Sequence, residues 1–178
     1  LNNFKSNSSD KTIAVNVNHL TNEQKIELSN FASDLINQVR ERFGTPKTVV
    51  TKGMIDVSDK ITAGYVADNW EFGAGHHNKL INRIAREYGL PAIDDESGQT
   101  LENLNSINSG TEIENMDDAK RWIYQSLNSL LFNGWEWLHA QSITGLTSQG
   151  ANKEYFALGL SSGTGRTSAH FLSVSDKD

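Results

Sequence analysis

The spacing of hydrophobic residues changes along the chain, and this change limits the folds that the chain can adopt. In four segments between Thr21 and Asn133, apolar residues recur every three to four positions, as on one face of an α-helix. Near the end, residues 155–160 and 170–174 have the composition of two strands joined by a Gly/Ser-rich turn. Helices followed by a hairpin, without regular alternation, disfavour a doubly wound parallel sheet. The order predicts an α+β fold with helices on both faces of a small sheet.

The predicted helices have recognisable ends. The first begins at Thr21, which forms a capping box with Gln24, and stops at Gly44. The others are expected over residues 54–69, 80–88 and 117–133, and residues 48–50 suggest a short strand or extended link. Residues 92–114 are polar and punctuated by Gly, Ser and Asn, so we interpret them as one long loop, a feature that usually signals function or an insertion.

Composition excludes several classes of function. The 16 basic and 22 acidic residues give a net charge of −6, which argues against nucleic-acid and anionic-membrane binding. No apolar run approaches the roughly 20 residues that span a bilayer, so no membrane insertion is expected. The absence of cysteine rules out disulfides, thiolate zinc sites and cysteine nucleophiles. The polar, weakly charged composition is compatible with an extracellular bacterial protein.

Two of the five histidines stand out. His76 follows Gly73-Ala74-Gly75, which lets the backbone pass close to a ligand, and it stands at the start of a helix. His139 lies just beyond the fourth helix. They are far apart in the sequence, so only the fold can bring them together. The remaining three are expected to have structural roles: His19, His77 and His170.

Several other polar and aromatic residues remain open in function. Glu102 lies in the predicted loop, Glu114 lies before the fourth helix, and Glu136 could cap or flank that helix. The tip at residues 161–165 is interpreted as a hairpin turn, because it lacks the Lys-Ser/Thr ending of a phosphate loop. Three tryptophans are expected in the core, with a groove wall as the alternative: Trp122, Trp135 and Trp137.

The order of several short motifs resembles the CAP superfamily, in its bacterial SCP-like form. The motifs are Asn37-x-x-Arg40, Gly75-His76, Glu102-Asn103-Leu104, the helix with Trp122, His139 after it, and the strand 157–160. The resemblance implies a three-layer α-β-α sandwich with a small central, mostly antiparallel sheet. It assigns residues 19–178 to this domain and leaves 1–18 as a linker or stalk junction. The lack of cysteine differs from the disulfide-bonded eukaryotic members.

A narrower resemblance involves the CAP domains of surface-exclusion proteins from Gram-positive conjugative plasmids. It rests on Leu20-Thr21-x-Glu-Gln-Lys, on residues 31–40, and on Met116-Asp117-Asp118-Ala-Lys-Arg. Such proteins are exported and anchored in the cell wall. The resemblance therefore implies an extracellular, cell-surface location.

The family resemblance also implies a cavity with two histidines and two glutamates that often holds a divalent metal. His76, Glu102 and His139 match three of these positions, and His76 and His139 are the expected ligands for one ion, zinc or similar. The fourth position holds Gln125, expected to face the cavity, which cannot act as a general base. Glu136 is the alternative cavity carboxylate.

Three functions remain in competition at this point. The first is recognition of a protein or envelope component on a contacting cell, as in surface exclusion during conjugation. The second is a metal-assisted peptide hydrolase that uses His76, Glu102 and His139 as its catalytic group, with Glu102 as ligand or base. The third, suggested by some eukaryotic relatives, is a lipid or sterol carrier.

Overall fold

A four-stranded sheet lies between two layers of helices in the computed structural model, which describes residues 3–71, 73–108, 112–163 and 165–178. The strands are β1 (Lys47–Val50), β2 (Glu102–Ile107), β3 (Lys153–Gly163) and β4 (Arg166–Ser175). They are arranged in the order β1-β3-β4-β2. β1 runs parallel to β3, and the other two pairs are antiparallel. This confirms the predicted sandwich with a mostly antiparallel sheet.

Five helices form the outer layers of the described structure. They are α1 (Asn22–Phe43), α2 (Lys52–Ala67), α3 (Asn78–Glu87), α4 (Met116–Phe132) and α5 (Leu138–Ile143). α1, α4 and α5 share one apolar core with Phe156 and Phe171, whereas α2 and α3 share the other with Ala157 and Leu172. These strand residues are sequence neighbours, so the alternation of side chains along β3 and β4 separates the two cores. None of the described helices is long and apolar enough to cross a bilayer.

The ends of α1 are set by the residues that the sequence indicated. The Thr21 side chain accepts a hydrogen bond from the Gln24 backbone, and the Gln24 side chain accepts one from the Thr21 backbone. Gly44 ends the helix with a φ of 64°, a left-handed conformation that glycine adopts without strain. The apolar stripe, which includes Leu28 and Ile36, is buried against the sheet.

The segment before α1 lies against the domain. Ala14 forms an isolated bridge with Asn115, next to the start of α4. The side-chain amide of Asn18 makes hydrogen bonds to both the backbone N–H and the C=O of Ser162 in β3. Whether residues 1–18 also join this domain to a stalk stays a prediction.

Two elements differ from the sequence prediction. Part of the expected loop at 92–114 is strand β2, and the six residues of α5 were not anticipated. Residues 109–111 of that loop lie outside the described residues. Within the described sheet β2 pairs with β4 alone, 60 to 70 positions further along the chain, so local sequence carries little signal for it. Both elements carry residues of the candidate site.

Candidate functional site

The site is built around two consecutive residues of the edge strand β2, whose side chains point to opposite faces of the sheet. On the side of α2 and α3, Glu102 Oε1 accepts a hydrogen bond of 2.8 Å from His76 Nδ1. On the side of α4 and α5, Asn103 Oδ1 accepts one of 2.8 Å from His139 Nδ1. The Asn103 amide nitrogen donates to Ser142 Oγ, which fixes the orientation of the amide. One strand thus holds a histidine from each helical layer.

These two hydrogen bonds determine that Nδ1 carries a proton in both imidazole rings. A carboxylate only accepts hydrogen bonds, so the proton of His76 sits on Nδ1; the amide oxygen of Asn103 requires the same of His139. The Nε2 atom of each ring lies on the side away from β2, where it offers a lone pair in the neutral form of the ring. The two ring centroids are 6.0 Å apart. Two nitrogen acceptors therefore meet above the strand edge.

A cavity of 520 Å³ contains both histidines. Its lining is mostly polar and neutral, and comes from the start of α3 and the residues before it, from the segment before β2, from β2 itself, and from α5 and the turn before it. The lining includes His76, Asn78, Gln99, Glu102, Asn103, Glu136, Leu138, His139 and Ser142. The structure therefore brings His76, Glu102 and His139 into one cavity, together with Glu136.

The loop before α3 places His76. Gly75 has a φ of 71°, and its carbonyl oxygen accepts a hydrogen bond of 2.9 Å from Trp70 Nε1. His77, the next residue, caps α3 through its side chain and stacks on Trp70, with ring centroids 3.9 Å apart. Its Nε2 pairs with Asp68. His77 thus anchors the loop.

Glu102 is held by three donors. Its side chain is fully buried, and besides His76 it receives hydrogen bonds from Tyr65 Oη (2.7 Å) and His170 Nδ1 (2.6 Å). Burial works to raise the pKa of Glu102, but the interactions with His170 and His76 outweigh it and lower the pKa to about 2. Burial, with the nearby Glu102, raises the pKa of Tyr65. Glu102 is therefore an ionised group whose oxygens are already engaged.

Tyr65 was not predicted as a site residue from the sequence, and His170 was expected to have only a structural role. His170 Nε2 accepts from Ser161 Oγ at 2.7 Å, which continues the chain of hydrogen bonds from Glu102. The order Ser161, His170, Glu102 has the connectivity of a hydrolytic triad. Ser161 and His170 have no exposed surface, however, so no substrate reaches the hydroxyl. The chain of hydrogen bonds instead orients the carboxylate that orients His76.

Comparison with solved structures identifies the architecture. The chain matches the structure described as "CAP domain of Enterococcal PrgA" with a TM-score of 0.78 and 22% sequence identity, covering 98% of this chain and 72% of that one. The chain has a CAP-type fold. At this level of identity the match shows the fold alone. No protein-family model matches the chain, and no curated protein sequence matches it.

In this CAP-type fold, the start of α5 places His139. Glu136 Oε2 accepts hydrogen bonds from the backbone N–H groups of Leu138 and His139, and Glu136 Oε1 accepts one from Asn133. Burial works to raise the pKa of Glu136, but these hydrogen bonds outweigh it and lower the pKa. Burial lowers the pKa of His139, although the negative charge of Glu136 acts in the opposite direction. The lowered pKa keeps the ring neutral near neutral pH.

Two expectations about this region were wrong. Gln125 is exposed on α4 and is not among the described residues that line the cavity. It lies seven residues before Phe132, the last residue of α4, about 10 Å along the axis at 1.5 Å per residue, whereas Glu136 and His139 of the cavity follow that end. Trp135 and Trp137 are 85% and 62% exposed rather than packed in the core.

The donor set of the CAP-type cavity fits a divalent ion only in part. Two imidazoles whose Nδ1 protons are held by protein oxygens are typical of histidines that bind metal through Nε2. Across the residues that the structure describes, however, no group of three or more His, Asp or Glu side chains is arranged to hold an ion. His76 and His139 would therefore hold an ion between them, with its other positions open to water or a ligand.

Proposed function

We propose that this chain is the CAP domain of a bacterial cell-surface protein and that it recognises a protein or envelope component of a contacting cell. In this role it acts in surface exclusion during conjugation, from a parent protein anchored in the cell wall. The likeness to the CAP domain of Enterococcal PrgA supports the proposal at the level of fold. The sequence motifs at residues 20–25, 31–40 and 116–121 support the surface-exclusion context.

The observation that carries the proposal is the pair of free Nε2 atoms in an open polar cavity. The oxygen atoms of Glu102 and Asn103 hold the opposite nitrogen of each ring, so the rings are preorganised rather than free to turn. A partner can donate N–H or O–H hydrogen bonds to these atoms. With a divalent ion held by His76 and His139, a carbonyl or carboxylate of the partner can fill an open position on that ion.

Capture of partners from envelope extracts tests this proposal. The wild-type domain and the double variant His76→Ala/His139→Ala are immobilised and incubated with the same extract, in parallel with and without chelator. A His19→Ala variant, changed at a histidine outside this cavity, is the matched control. We expect the double variant to lose the captured component and the control to retain it. Capture that is equal for all three proteins would contradict the assignment of the cavity.

A second candidate, metal-assisted hydrolysis of peptide bonds, is favoured by the same pair of imidazoles. An ion on His76 and His139 would polarise a peptide carbonyl. The earlier role of Glu102 as ligand or base conflicts with its three hydrogen bonds, and Glu136 is a weak base because of its lowered pKa. The base would then have to come from a solvent molecule or from Glu136 after loss of its contacts.

A peptide library and a metal analysis separate the two candidates. The purified domain is assayed for cleavage with added zinc and with chelator, beside the double histidine variant. Cleavage that requires both zinc and the two histidines would establish the hydrolase. Cleavage that persists with chelator and in the double variant would remove the metal-hydrolase hypothesis.

A further inference from the structure

We infer that the open edge of β2 binds an extended segment of a partner polypeptide as an additional strand, and that this strand leads the partner into the cavity of His76 and His139. The inference names the ligand class for the proposed recognition function and rests on it. It is carried by the directions of the backbone groups of β2, by how the protein satisfies its other strand edges, and by the position of Gln99.

The register of β2 and β4 determines which backbone groups face outward. The Ser173 N–H donates to the Leu101 C=O. Alternate residues from Leu101 onward, namely Leu101, Asn103, Asn105 and Ile107, therefore direct their backbone N–H and C=O groups toward β4. The intervening residues, Glu102, Leu104 and Ser106, direct both their N–H and their C=O groups away from β4. β2 is the last strand of the sheet, so these groups point to the open edge.

The first of these positions is already occupied by a side-chain amide. Gln99 Oε1 accepts from the Glu102 N–H at 2.7 Å, and Gln99 Nε2 donates to the Glu102 C=O at 2.8 Å. The side-chain amide of Gln99 thus makes the two hydrogen bonds that a residue of a neighbouring strand would make with the backbone of Glu102. The edge therefore accepts an amide in strand geometry at this position.

Side-chain amides also satisfy the backbone N–H and C=O of one residue at two other places in the sheet. Asn37 makes both hydrogen bonds to the backbone of Thr48 in β1, and Asn18 makes both to Ser162 in β3. For Leu104 and Ser106, by contrast, no hydrogen-bond partner of the outward backbone groups occurs among the described residues. Two consecutive outward positions of β2 thus present donors and acceptors to a partner.

The two edge strands also differ in how well they are protected against the addition of a further strand. β1 has four residues, follows Pro46 and begins with Lys47, features that discourage further strand addition. β2 is longer, and its only charged residue, Glu102, is buried and points into the fold. The run Leu104-Asn-Ser-Ile107 has neither charge nor proline. Such an edge is a template for strand addition, a common way in which domains bind extended peptides.

The direction of the edge connects this surface to the candidate site. A strand about 4.8 Å from β2 that pairs with Ser106 and Leu104 next reaches the side chain of Gln99. The amide of Gln99 occupies the following position, so the added strand must leave the sheet there. Gln99 lines the cavity that contains His76 and His139. The partner chain therefore enters the cavity with its backbone extended.

The test uses short random peptides displayed as a library and selected on the immobilised wild-type domain. The strongest binder is synthesised and added to the 15N-labelled protein, and hydrogen exchange of the Leu104 and Ser106 amides is measured. We expect both amides to exchange fast in the free protein and to become protected on binding. Failure to select any peptide, or a bound peptide that leaves both amides unprotected, would overturn the inference.

A matched pair of variants supplies the second measurement. Ser106→Pro removes the outward N–H while leaving the backbone hydrogen bonds between β2 and β4, and Ser106→Ala keeps that N–H. Both variants lose the side-chain hydrogen bond to Ser168 Oγ. We expect about tenfold weaker peptide binding for Ser106→Pro than for Ser106→Ala, as for the loss of a well-formed hydrogen bond with added steric conflict. Equal binding would refute strand addition. If Ser106→Pro does not fold, the exchange measurement on the wild type decides.

Failure of this inference is distinguishable from failure of the proposed function. The Ser106 variants are included in the capture experiment with the double histidine variant. Capture that depends on His76 and His139 but is the same for Ser106→Pro and Ser106→Ala leaves the recognition function in place and removes the strand-addition inference. Capture that depends on neither site removes both.

Discussion

Replacement of Glu102 by glutamine tests the electrostatic design of the site. The variant keeps the shape of the side chain but loses the buried charge that receives hydrogen bonds from Tyr65, His76 and His170. The pKa of Glu102 falls from an ordinary value of 4.5 to about 2. At 1.36 kcal/mol per pKa unit, the ionised form contributes about 3 kcal/mol to folding. We expect Glu102→Gln to lower the free energy of unfolding by about this amount near neutral pH.

The pH dependence of this loss has a defined sign. Because the folded-state pKa lies below the unfolded value, the contribution of Glu102 is complete above 4.5 and is lost as the pH falls through about 2. Near pH 3 less than half of it remains, about 1.5 kcal/mol. The difference in stability between the wild type and Glu102→Gln should therefore shrink over this acid range.

Urea unfolding followed by circular dichroism, at a series of pH values between about 3 and 7, measures this difference. Glu71→Gln, a change at an exposed carboxylate, is the control and should follow the wild type. A stability deficit of Glu102→Gln that is the same at both ends of the range would refute the argument. So would a deficit below about 1 kcal/mol near neutral pH.

Three further predictions concern other parts of the structure. Asn103→Leu removes the acceptor of the His139 Nδ1 proton, and any zinc affinity measured by calorimetry should fall by about 10-fold to 100-fold; unchanged affinity would show that the amide does not orient the ring. Arg40→Lys cannot reproduce four hydrogen bonds of a buried guanidinium, so urea unfolding should show a loss of about 2–4 kcal/mol, not a surface-like effect. Gly159→Ala places a Cβ against Ser58 Oγ, and thermal unfolding should show that the free energy of unfolding falls by about 1–3 kcal/mol. No change would mean that α2 can shift away from β3 without loss of stability.

The sequence predicts well those elements whose signals are local. The capping box at Thr21, the left-handed Gly44 and the apolar stripe of α1 are all properties of neighbouring residues, and the structure has all three. The hairpin of β3 and β4 likewise follows from two strand-like runs around a turn. The layered fold could be predicted because helices and hairpin can bury their apolar faces in few ways.

The polar part of the site was predictable only as a set of motifs. β2 contains Glu, Asn and Ser, residues of low strand propensity, and it becomes a strand because β4 pairs with it. The role of His170 depends on that same pairing, which places it on the face of the sheet toward which Glu102 points. Gln125 was misplaced because spacing within α4 defines a helix face but not where the cavity lies along the axis. The catalytic and metal-binding roles assigned to His76, Glu102 and His139 stay predictions.

The exposed tryptophans beside the cavity give the domain an intrinsic optical reporter. Trp135 and Trp137 flank Glu136, while Trp122 lies on the buried face of α4. Emission from the exposed pair should shift when a bound molecule displaces solvent from their rings, whereas buried Trp122 supplies a steady background and half-buried Trp70, in the loop before α3, supplies a fourth signal. A molecule that binds at Glu136, which lines the cavity, can therefore be detected by fluorescence without a label, and replacing Trp70, Trp135 or Trp137 by phenylalanine assigns the signal.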